Sequence, residues 1–348
     1  MFSLIRPLIF KLDPELAHDL AINSLKFNYL PKSFFRVEDE EILEIEIFGK
    51  KFPNPIGLAA GFDKSAEVYN SIFKFGFGFV EVGTVTPKSQ YGNPKPRMFR
   101  LEKDNALINR LGFNNHGSEV IKKRIFENKK KGILGINIGP NKNTENQIND
   151  FLIGFKTFHS LADYITINIS SPNTEKLRDF HQFQKLTELL KSINEEKIKL
   201  KSKIPIILKI SPDIDDKTIE EISEISLNNL ISALILTNTS NENKKNLLDN
   251  KRFEEGGLSG KPIEDISNMV IKKFYKNLKN KVKIIGVGGV DSGKSAYKKI
   301  ISGASLIQLY TGMIYKGPEV VKKIKIDLIK NLKQDGVKNF KELIGQSY

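Results

Sequence analysis

The 348-residue sequence contains no cysteine, and this absence excludes several classes of protein. Disulfide-stabilised scaffolds, zinc ribbons, iron–sulfur proteins and enzymes with a thiolate nucleophile all need cysteine in the chain. Histidine is scarce as well. Its four positions are His18, His116, His159 and His181, and no two of them have the spacing of a metal-ligand pair. We therefore expect no metal site.

Long apolar runs are also missing. No segment approaches the roughly 18 uninterrupted apolar residues that a membrane-spanning helix needs. The N-terminal sequence MFSLIRPLIFKLDPE lacks the long apolar core and the small-residue cleavage site of a signal peptide, so none is expected. Hydrophobic residues make up 39% and charged residues 28% of the chain, which is typical of a globular protein.

The chain is basic, with 55 Lys and Arg against 41 Asp and Glu and a net charge of +14. Such a balance indicates either an anionic partner, such as nucleic acid or a membrane surface, or a general compositional bias. The lysines are scattered, and no zinc-finger or RNA-binding motif accompanies them. We therefore expect no nucleic-acid partner.

The first 40 residues differ in pattern from the rest. Apolar residues recur at helical spacing from Leu4 to Leu12 and again from Leu16 to Leu25, which predicts two short amphipathic helices. Asp13 and Pro14 between them form an N-cap followed by a proline at the first helical position. We assign residues 1–40 to an N-terminal helical extension. Its apolar stripes either dock on the main domain or face a membrane.

From residue 41 to residue 340 the pattern predicts a single α/β domain. Alternating residues from Ile45 to Phe52 indicate a β-hairpin. Eight short apolar segments follow, separated by helical stretches such as Phe183–Leu200 and Ile219–Leu230. The segments are Pro55–Ala59, Phe79–Gly83, Ile133–Ile138, Tyr164–Ile169, Ile204–Ile210, Ala233–Leu236, Val282–Val287 and Leu306–Leu309. Eight buried strands alternating with helices favour a (β/α)8 TIM barrel over an open doubly wound sheet.

Each segment runs directly into polar residues or glycine. The carboxyl ends of barrel strands form one mouth, where barrel enzymes build their active sites. The glycines of Gly286–Gly289 and Tyr310–Gly312 follow the last two strands and offer free backbone N–H groups where barrels commonly hold a phosphate. FMN, a sugar phosphate and pyridoxal phosphate all fit this pattern. Lys64 and Lys209 at strand ends suit either a Schiff base or a charge beside a flavin.

Two further segments offer amides and hydroxyls. Residues Asn168–Thr174 place two amides and two serine hydroxyls after the fourth strand. They either cap the next helix or hold a proton acceptor in a mobile loop. Residues Asn109–Asn115 add more amides, which can pair with the N–H and C=O edges of a flat polar ring.

Taken together, the motifs resemble those of the quinone-dependent, membrane-associated class of dihydroorotate dehydrogenases. They run in order along nearly the whole chain, and each is weak alone. They are Gly57–Lys64, Gly83–Pro87, Asn109–Asn115, Asn137–Gly139, Asn168–Thr174, Thr237–Thr239, Gly256–Gly260 and Gly286–Gly289. The related cytosolic class uses a cysteine base and lacks a helical extension, so it fits this chain poorly.

The resemblance implies a role for each matching residue. Ser171 would be the catalytic base. FMN would be held by Ala60, Gly61, Phe62, Asp63, Lys64, Thr84, Asn137, Asn168, Lys209, Thr237, Gly260, Gly289, Tyr310 and Thr311. Dihydroorotate would be bound by Lys64, Asn109, Arg110, Leu111, Gly112, Phe113, Asn168, Asn173, Asn238 and Thr239. These roles suit the residue types, since Lys64 offers a positive charge to a carboxylate.

The implied reaction is the oxidation of dihydroorotate to orotate through FMN in pyrimidine biosynthesis, with ubiquinone or menaquinone as the acceptor. The implied setting is a monomer bound peripherally to the cytoplasmic side of a bacterial membrane. Three alternatives remain at this point. They are an FMN barrel oxidoreductase for another cyclic substrate, a Schiff-base barrel, and a protein that binds no flavin.

Overall fold

The computed structural model describes residues 2–27, 38–174, 176–228 and 231–347. In chain order its strands are β1 (Ile45–Ile47), β2 (Lys50–Phe52), β3 (Ile56–Leu58), β4 (Phe79–Val85), β5 (Met98–Leu101), β6 (Ala106–Asn109), β7 (Ile133–Ile138), β8 (Tyr164–Asn168), β9 (Ile206–Ile210), β10 (Ile231–Leu236), β11 (Gly257–Gly260), β12 (Lys283–Val287) and β13 (Leu306–Leu309).

The α-helices of the described residues are α1 (Phe2–Phe10), α2 (Pro14–Lys26), α3 (Tyr69–Ile72), α4 (Ser118–Glu127), α5 (Gln147–Phe158), α6 (Phe183–Lys199), α7 (Asp216–Asn228), α8 (Glu264–Leu278), α9 (Gly293–Ile301), α10 (Thr311–Lys316) and α11 (Val320–Gln334). The helices predicted over 183–200 and 219–230 correspond to α6 and α7. Leu230, at the end of the second prediction, lies outside the described residues.

Eight parallel strands close into a barrel in the order β3, β4, β7, β8, β9, β10, β12 and β13, and β13 pairs with β3. This is the predicted TIM barrel, and all eight predicted strands are confirmed within about two residues at each end. The strands are buried on both faces because helices pack against the outside, which explains their nearly continuous apolar sequences.

The hairpin and the N-terminal helix cap also match the prediction. Strands β1 and β2 pair antiparallel, with Ile45 opposite Phe52. The Asp13 carboxylate accepts hydrogen bonds from the backbone N–H groups of Glu15 and Leu16 at 2.9 and 3.0 Å, so helix α2 begins where the sequence predicts. The helix ends at Lys26, one residue after the last apolar residue of the predicted stripe.

Helices α1 and α2 pack on the carboxyl-terminal side of the barrel. Arg97, which lies just before β5, makes a buried ion pair with Glu15 at 2.9 Å. Arg100 in β5 donates to the carbonyls of Phe10 and Leu12. The extension is therefore fastened beside the barrel mouth, not the barrel floor.

A small antiparallel sheet is present that the sequence analysis does not predict. Strands β5, β6 and β11 pair in the order β11–β6–β5, and Gly257 lies opposite Asn109. These strands of four residues cover a second, smaller apolar cluster that includes Leu101, Ile108 and Leu258. The sheet sits over the barrel mouth and holds the segments predicted to bind substrate.

Candidate active site

The strand ends at the barrel mouth are tied together by backbone hydrogen bonds. Gly61 donates to the carbonyl of Gly83 at 2.8 Å, Thr237 donates to Val287 at 3.0 Å, and Asn238 donates to Ile210 at 2.9 Å. In addition, Asn168 in β8 is in register with Lys209 in β9. The polar residues that follow different strands in the sequence thus meet at one rim.

One cavity lies at the ends of β9, β10, β12 and β13. Its walls include the backbone of four glycines, namely Gly260, Gly288, Gly289 and Gly312. Gly289 has a φ of +74°, and a Cβ there would lie 2.4 Å from the Cβ of Glu264, so only glycine fits this turn. The wall therefore presents bare backbone to a ligand, as a phosphate group requires.

Two buried hydroxyls in this cavity have no partner among the described residues. The Thr237 Oγ1 and Tyr310 hydroxyls are buried and make no hydrogen bond to any described residue. The Lys209 ammonium group lines the same cavity and is buried. Burial lowers the pKa of Lys209, although the negative charge of Glu81 opposes this effect. Unpaired buried groups are costly, so this donor and acceptor set fits a polar ligand with a phosphate.

A second cavity opens beside the first. The two share Ala60, Lys209, Asn238, Thr239 and Tyr310 as walls. The second is also lined by Gly61, Lys64, Thr84, Asn109, Leu111, Gly112, Phe113, Asn168, Ser171 and Asn173. A large ligand in the first cavity would therefore contact a smaller one in the second.

Lys64 provides a positive charge in the second cavity. Its Nζ lies 3.5 Å from Nε2 of His18 in helix α2, and the His18 ring packs edge-on against Phe62. Burial, followed by the charge of Lys64, lowers the pKa of His18 to about 3, so His18 is neutral. Burial also lowers the pKa of Lys64 to about 8, while the carboxylates of Glu15 and Asp19 raise it.

The loop after β8 brings Ser171 and Asn173 into this cavity. The Ser171 Oγ accepts a hydrogen bond from the Asn173 N–H at 3.3 Å. The side chain of Asn173 donates to the Asn109 carbonyl at 3.1 Å, which joins the loop to β6. Arg178 strengthens this arrangement, since it donates to the carbonyls of Ser170 and Thr239 at 3.1 Å each.

Not every predicted residue lines a cavity. Phe62 packs against His18 and Tyr310. The Asp63 carboxylate accepts from the backbone N–H groups of Glu67 and Val68, so it braces the loop.

Two more of the predicted residues also point elsewhere. The Asn137 amide lies behind Thr84. The Arg110 side chain bonds Glu254 at 2.9 Å and stacks on Phe99, away from both cavities.

Other residues reach the cavities although the sequence analysis does not name them as ligands. Asn114 lines the second cavity, and its buried Oδ1 has no partner among the described residues. Ser259 lines the first cavity and shares a hydrogen bond of 2.8 Å with Thr311. Both lie inside motifs that the sequence analysis singles out, at Asn109–Asn115 and Gly256–Gly260. Their position in those motifs is the sequence signal from which both residues could have been predicted as ligands.

Comparison with known proteins decides the family. A family model for dihydroorotate dehydrogenase matches residues 42–332. The chain belongs to the dihydroorotate dehydrogenase family. Enzymes of this family are flavin-dependent oxidoreductases of pyrimidine biosynthesis. The family expected from the sequence motifs is thus confirmed.

Relatives and solved structures agree over nearly the whole length. The chain is 47% identical over 343 residues to the dihydroorotate dehydrogenase (quinone) of Bartonella tribocorum, covering 97% of this chain and 94% of that one. It is 45% identical to the enzyme of the same name from Idiomarina loihiensis, covering 93% and 99%. The crystal structure of DHODH from Eimeria tenella in complex with ferulenol superposes with a TM-score of 0.92 at 40% identity, covering 96% of each chain.

Membrane spans and metal clusters are both absent from the described part of the chain. Within these residues, no helix is long and apolar enough to cross a membrane. The same residues contain no cluster of three or more side chains able to hold a metal ion.

Proposed function

We propose that the chain is a dihydroorotate dehydrogenase that binds FMN, oxidises dihydroorotate to orotate and passes the electrons to a membrane quinone. The observation that carries this proposal is the pair of adjoining cavities. One presents glycine backbone and unpaired hydroxyls, the other presents amides and a lysine, and Lys209 lines both.

The first cavity fits FMN by the chemistry of its walls. The backbone of Gly260, Gly288, Gly289 and Gly312 would hold the phosphate, and the free hydroxyls of Thr237 and Tyr310 would take up further polar groups. FMN, when bound, supplies the acceptor for two electrons. Lys209 is the cation that borders both cavities, so it is placed to stabilise the negative charge that reduction adds.

The second cavity fits dihydroorotate by charge and by hydrogen-bonding pattern. The ammonium group of Lys64 would pair with the carboxylate of the substrate. The side-chain amides of Asn109 and Asn173 offer a donor and an acceptor each, as required by a ring that carries both N–H and C=O groups. Phe113 and Leu111 supply an apolar wall, which limits the access of water.

Ser171 is the proposed base. Oxidation to orotate removes a proton and a hydride from two neighbouring ring carbons, and Ser171 would take the proton. Among the described residues no acceptor bonds its hydroxyl, so its Oγ is free toward the cavity, while the N–H of Asn173 points at the same oxygen. Ser171 would pass its own hydroxyl proton to solvent water as its Oγ takes the proton of the substrate, and a donor at Oγ stabilises the negative charge that this transfer places there.

Helices α1 and α2 support the choice of a quinone as the acceptor. Leu4 and Leu8 are 80% and 66% exposed, and Ile5, Leu12, Leu16 and Leu20 are also exposed. Exposed apolar residues on an amphipathic helix favour an interfacial position on a membrane. Since α2 also supplies His18 beside Lys64, the same helix pair borders the catalytic cavity. An extension that only caps the barrel would leave these apolar side chains in water.

A spectrum and an anaerobic titration test the proposal. The purified protein should be yellow and should release FMN, identified by chromatography, on heating. Dihydroorotate added without oxygen should bleach the flavin absorbance, and a quinone should restore it. A colourless protein, or a flavin that dihydroorotate leaves oxidised, would contradict the proposed reaction.

A further inference from the structure

A buried carboxylate that lines neither cavity stands out inside the barrel. Glu81 lies in the middle of the apolar strand β4, and its exposed fraction is 0%. Among the described residues no cation forms an ion pair with it. Burying a charge without such a pair is costly, so its presence needs a reason beyond packing.

Four donors surround the Glu81 carboxylate. Asn137 Nδ2 donates to Oε1 at 2.8 Å. Tyr164 and Thr166 each donate to Oε2 at 3.1 Å, and Gln308 donates to the same oxygen at 3.0 Å. An ionised carboxylate only accepts hydrogen bonds, and it is held here by donors alone.

A chain of hydrogen bonds leads from Glu81 to the cavity walls. Since the Asn137 amide turns its NH₂ toward Glu81, its Oδ1 accepts from the Thr84 hydroxyl at 2.6 Å. The Thr84 oxygen in turn accepts from Asn168 Nδ2 at 2.9 Å. Thr84 and Asn168 both line the second cavity, and the acceptor at Glu81 sets the direction of the Thr84 hydroxyl at the cavity wall.

Beyond Asn168 the donors and acceptors of the chain follow in the same order. Asn168 Oδ1 accepts from the Ser170 hydroxyl at 2.9 Å, and the Ser170 Oγ accepts from Asn238 Nδ2 at 2.8 Å. Backbone donors fix this end independently, because the N–H of Ser170 also donates to Asn168 Oδ1 and the N–H of Thr239 donates to Asn238 Oδ1. Asn168 therefore turns its NH₂ group toward Thr84. Every donor in the chain then meets an acceptor only when the group that faces Asn137 is itself an acceptor.

We propose that Glu81 is a positioning residue, whose carboxylate holds Asn137 and the Thr84 hydroxyl in the one orientation that matches the chain from Asn238 and balances the charge of Lys209. This deepens the proposed function, on which it rests. Glu81 touches neither substrate nor flavin in this scheme. It acts through Asn137 on the hydroxyl of Thr84, which lines the second cavity, and through its field on Lys209.

The variant Glu81→Gln separates these effects from simple packing, because it keeps the shape of the side chain. The oxygen of the new amide is favoured on the side with three donors, so its NH₂ faces Asn137. Asn137 must then turn its own oxygen toward that NH₂ group, while the backbone donors at Ser170 and Thr239 keep the far end unchanged. The Thr84 hydroxyl then faces only donors, and the hydrogen bond that it donates is lost.

The expected result has two parts, both measured on the FMN-loaded protein. In Glu81→Gln the dissociation constant for orotate should rise about 3- to 10-fold, as for the loss of one hydrogen bond between neutral groups in the cavity wall. The midpoint potential of the flavin, measured at pH 6 to favour the protonated form of Lys209, should rise, because removal of the Glu81 charge leaves the positive charge of Lys209 unbalanced. A tenfold preference for the reduced flavin corresponds to about 30 mV for two electrons.

Thr166→Val is the matched control. It removes one donor from the same carboxylate but keeps the charge and the bond to Asn137, so the potential and the orotate affinity should stay within about twofold of the wild type. Equal shifts in both variants would reduce Glu81 to a packing role and overturn the proposal. An unchanged potential and affinity in Glu81→Gln would do the same.

Thr84→Val covers the case in which Glu81→Gln does not fold. It breaks the chain while leaving the charge, so orotate binding should weaken without a rise in potential. Normal orotate affinity in this variant would overturn the proposal. Failure of the proposed function would be recognised separately in the wild-type protein. That protein would then bind no FMN, or its flavin would not be reduced by dihydroorotate.

Discussion

The pH dependence of orotate binding is a direct test of Lys64. Burial lowers the pKa of Lys64 to about 8, so the group changes charge in an accessible pH range. Only the ammonium form attracts the carboxylate of orotate. Affinity should therefore be full below pH 8 and should fall as the pH rises through that value. Binding of the carboxylate favours the ammonium form, so orotate should take up protons on binding at pH 8 and above.

The expected change in the orotate dissociation constant follows from the fraction of Lys64 that is charged. One pH unit above the pKa only about a tenth of the groups carry a proton, so the orotate dissociation constant should rise about tenfold from pH 7 to pH 9. In Lys64→Ala the affinity at pH 7 should fall about 10- to 100-fold, the value of a hydrogen bond to a charged group. Between pH 7 and pH 9 the orotate affinity of this variant should show no further loss from the titration of Lys64.

The measurement is a titration of the oxidised flavin absorbance with orotate at several pH values, for wild type and variant together. The ratio of the two dissociation constants cancels any titration of orotate itself. Lys64→Arg serves as the control, since a guanidinium stays charged throughout this range and its affinity should not fall. A ratio that stays constant from pH 7 to pH 9 would refute the assigned role of Lys64.

Three further predictions address other parts of the molecule. Ser171→Ala should slow flavin reduction by dihydroorotate about 10²- to 10⁴-fold with FMN retained, and an unchanged rate in stopped-flow absorbance would exclude Ser171 as the base. The double variant Leu4→Gln and Leu8→Gln should keep flavin reduction but lose turnover with long-chain quinones and liposome binding, and full activity would argue against the membrane role of α1. Burial lowers the pKa of Lys299 from 10.5 to about 7, so the unfolded chain binds the extra proton between these values and stability should rise with pH by up to ~1.4 kcal/mol per unit. Urea unfolding with saturating FMN at pH 7.5 and pH 9 should show this rise in the wild type but not in Lys299→Met, and equal slopes would contradict it.

The barrel could be predicted because its signal is local. Strands such as β7 and β9 are buried on both faces, so each reads as a short apolar run followed by an amphipathic helix. The same logic places Lys209 and Asn168 at one rim, since the carboxyl ends of parallel strands meet. The start of α2 is local too, because Asp13 caps a helix whose first turn contains Pro14.

Other features could not be read from the sequence because they depend on distant contacts. Strand β11 pairs with β6, which lies about 150 residues earlier, and each strand has only four residues. The directions of two predicted ligands also depend on contacts that the motif does not show. Arg110 turns to Glu254, and Asp63 turns to the backbone of its own loop. A motif fixes which residues gather at a site but not where each side chain points.

Two lysines at the site show how charge is balanced without loss of function. An ammonium group in an ion pair is already neutralised, whereas an isolated buried one loses its proton. Lys64 avoids both outcomes, because Glu15 and Asp19 of helix α2 raise its pKa from a distance while Glu15 itself bonds Arg97. Lys209 is supported in the same way by Glu81, whose charge raises the pKa of Lys209 and whose oxygens are occupied by other donors. Lys64 therefore keeps a charge below about pH 8 that is free for an anionic ligand, and Glu81 opposes the fall in the pKa of Lys209 that burial causes. Because Glu15 and Asp19 sit on the N-terminal extension, that extension contributes to the electrostatics of the barrel mouth as well as to its cover.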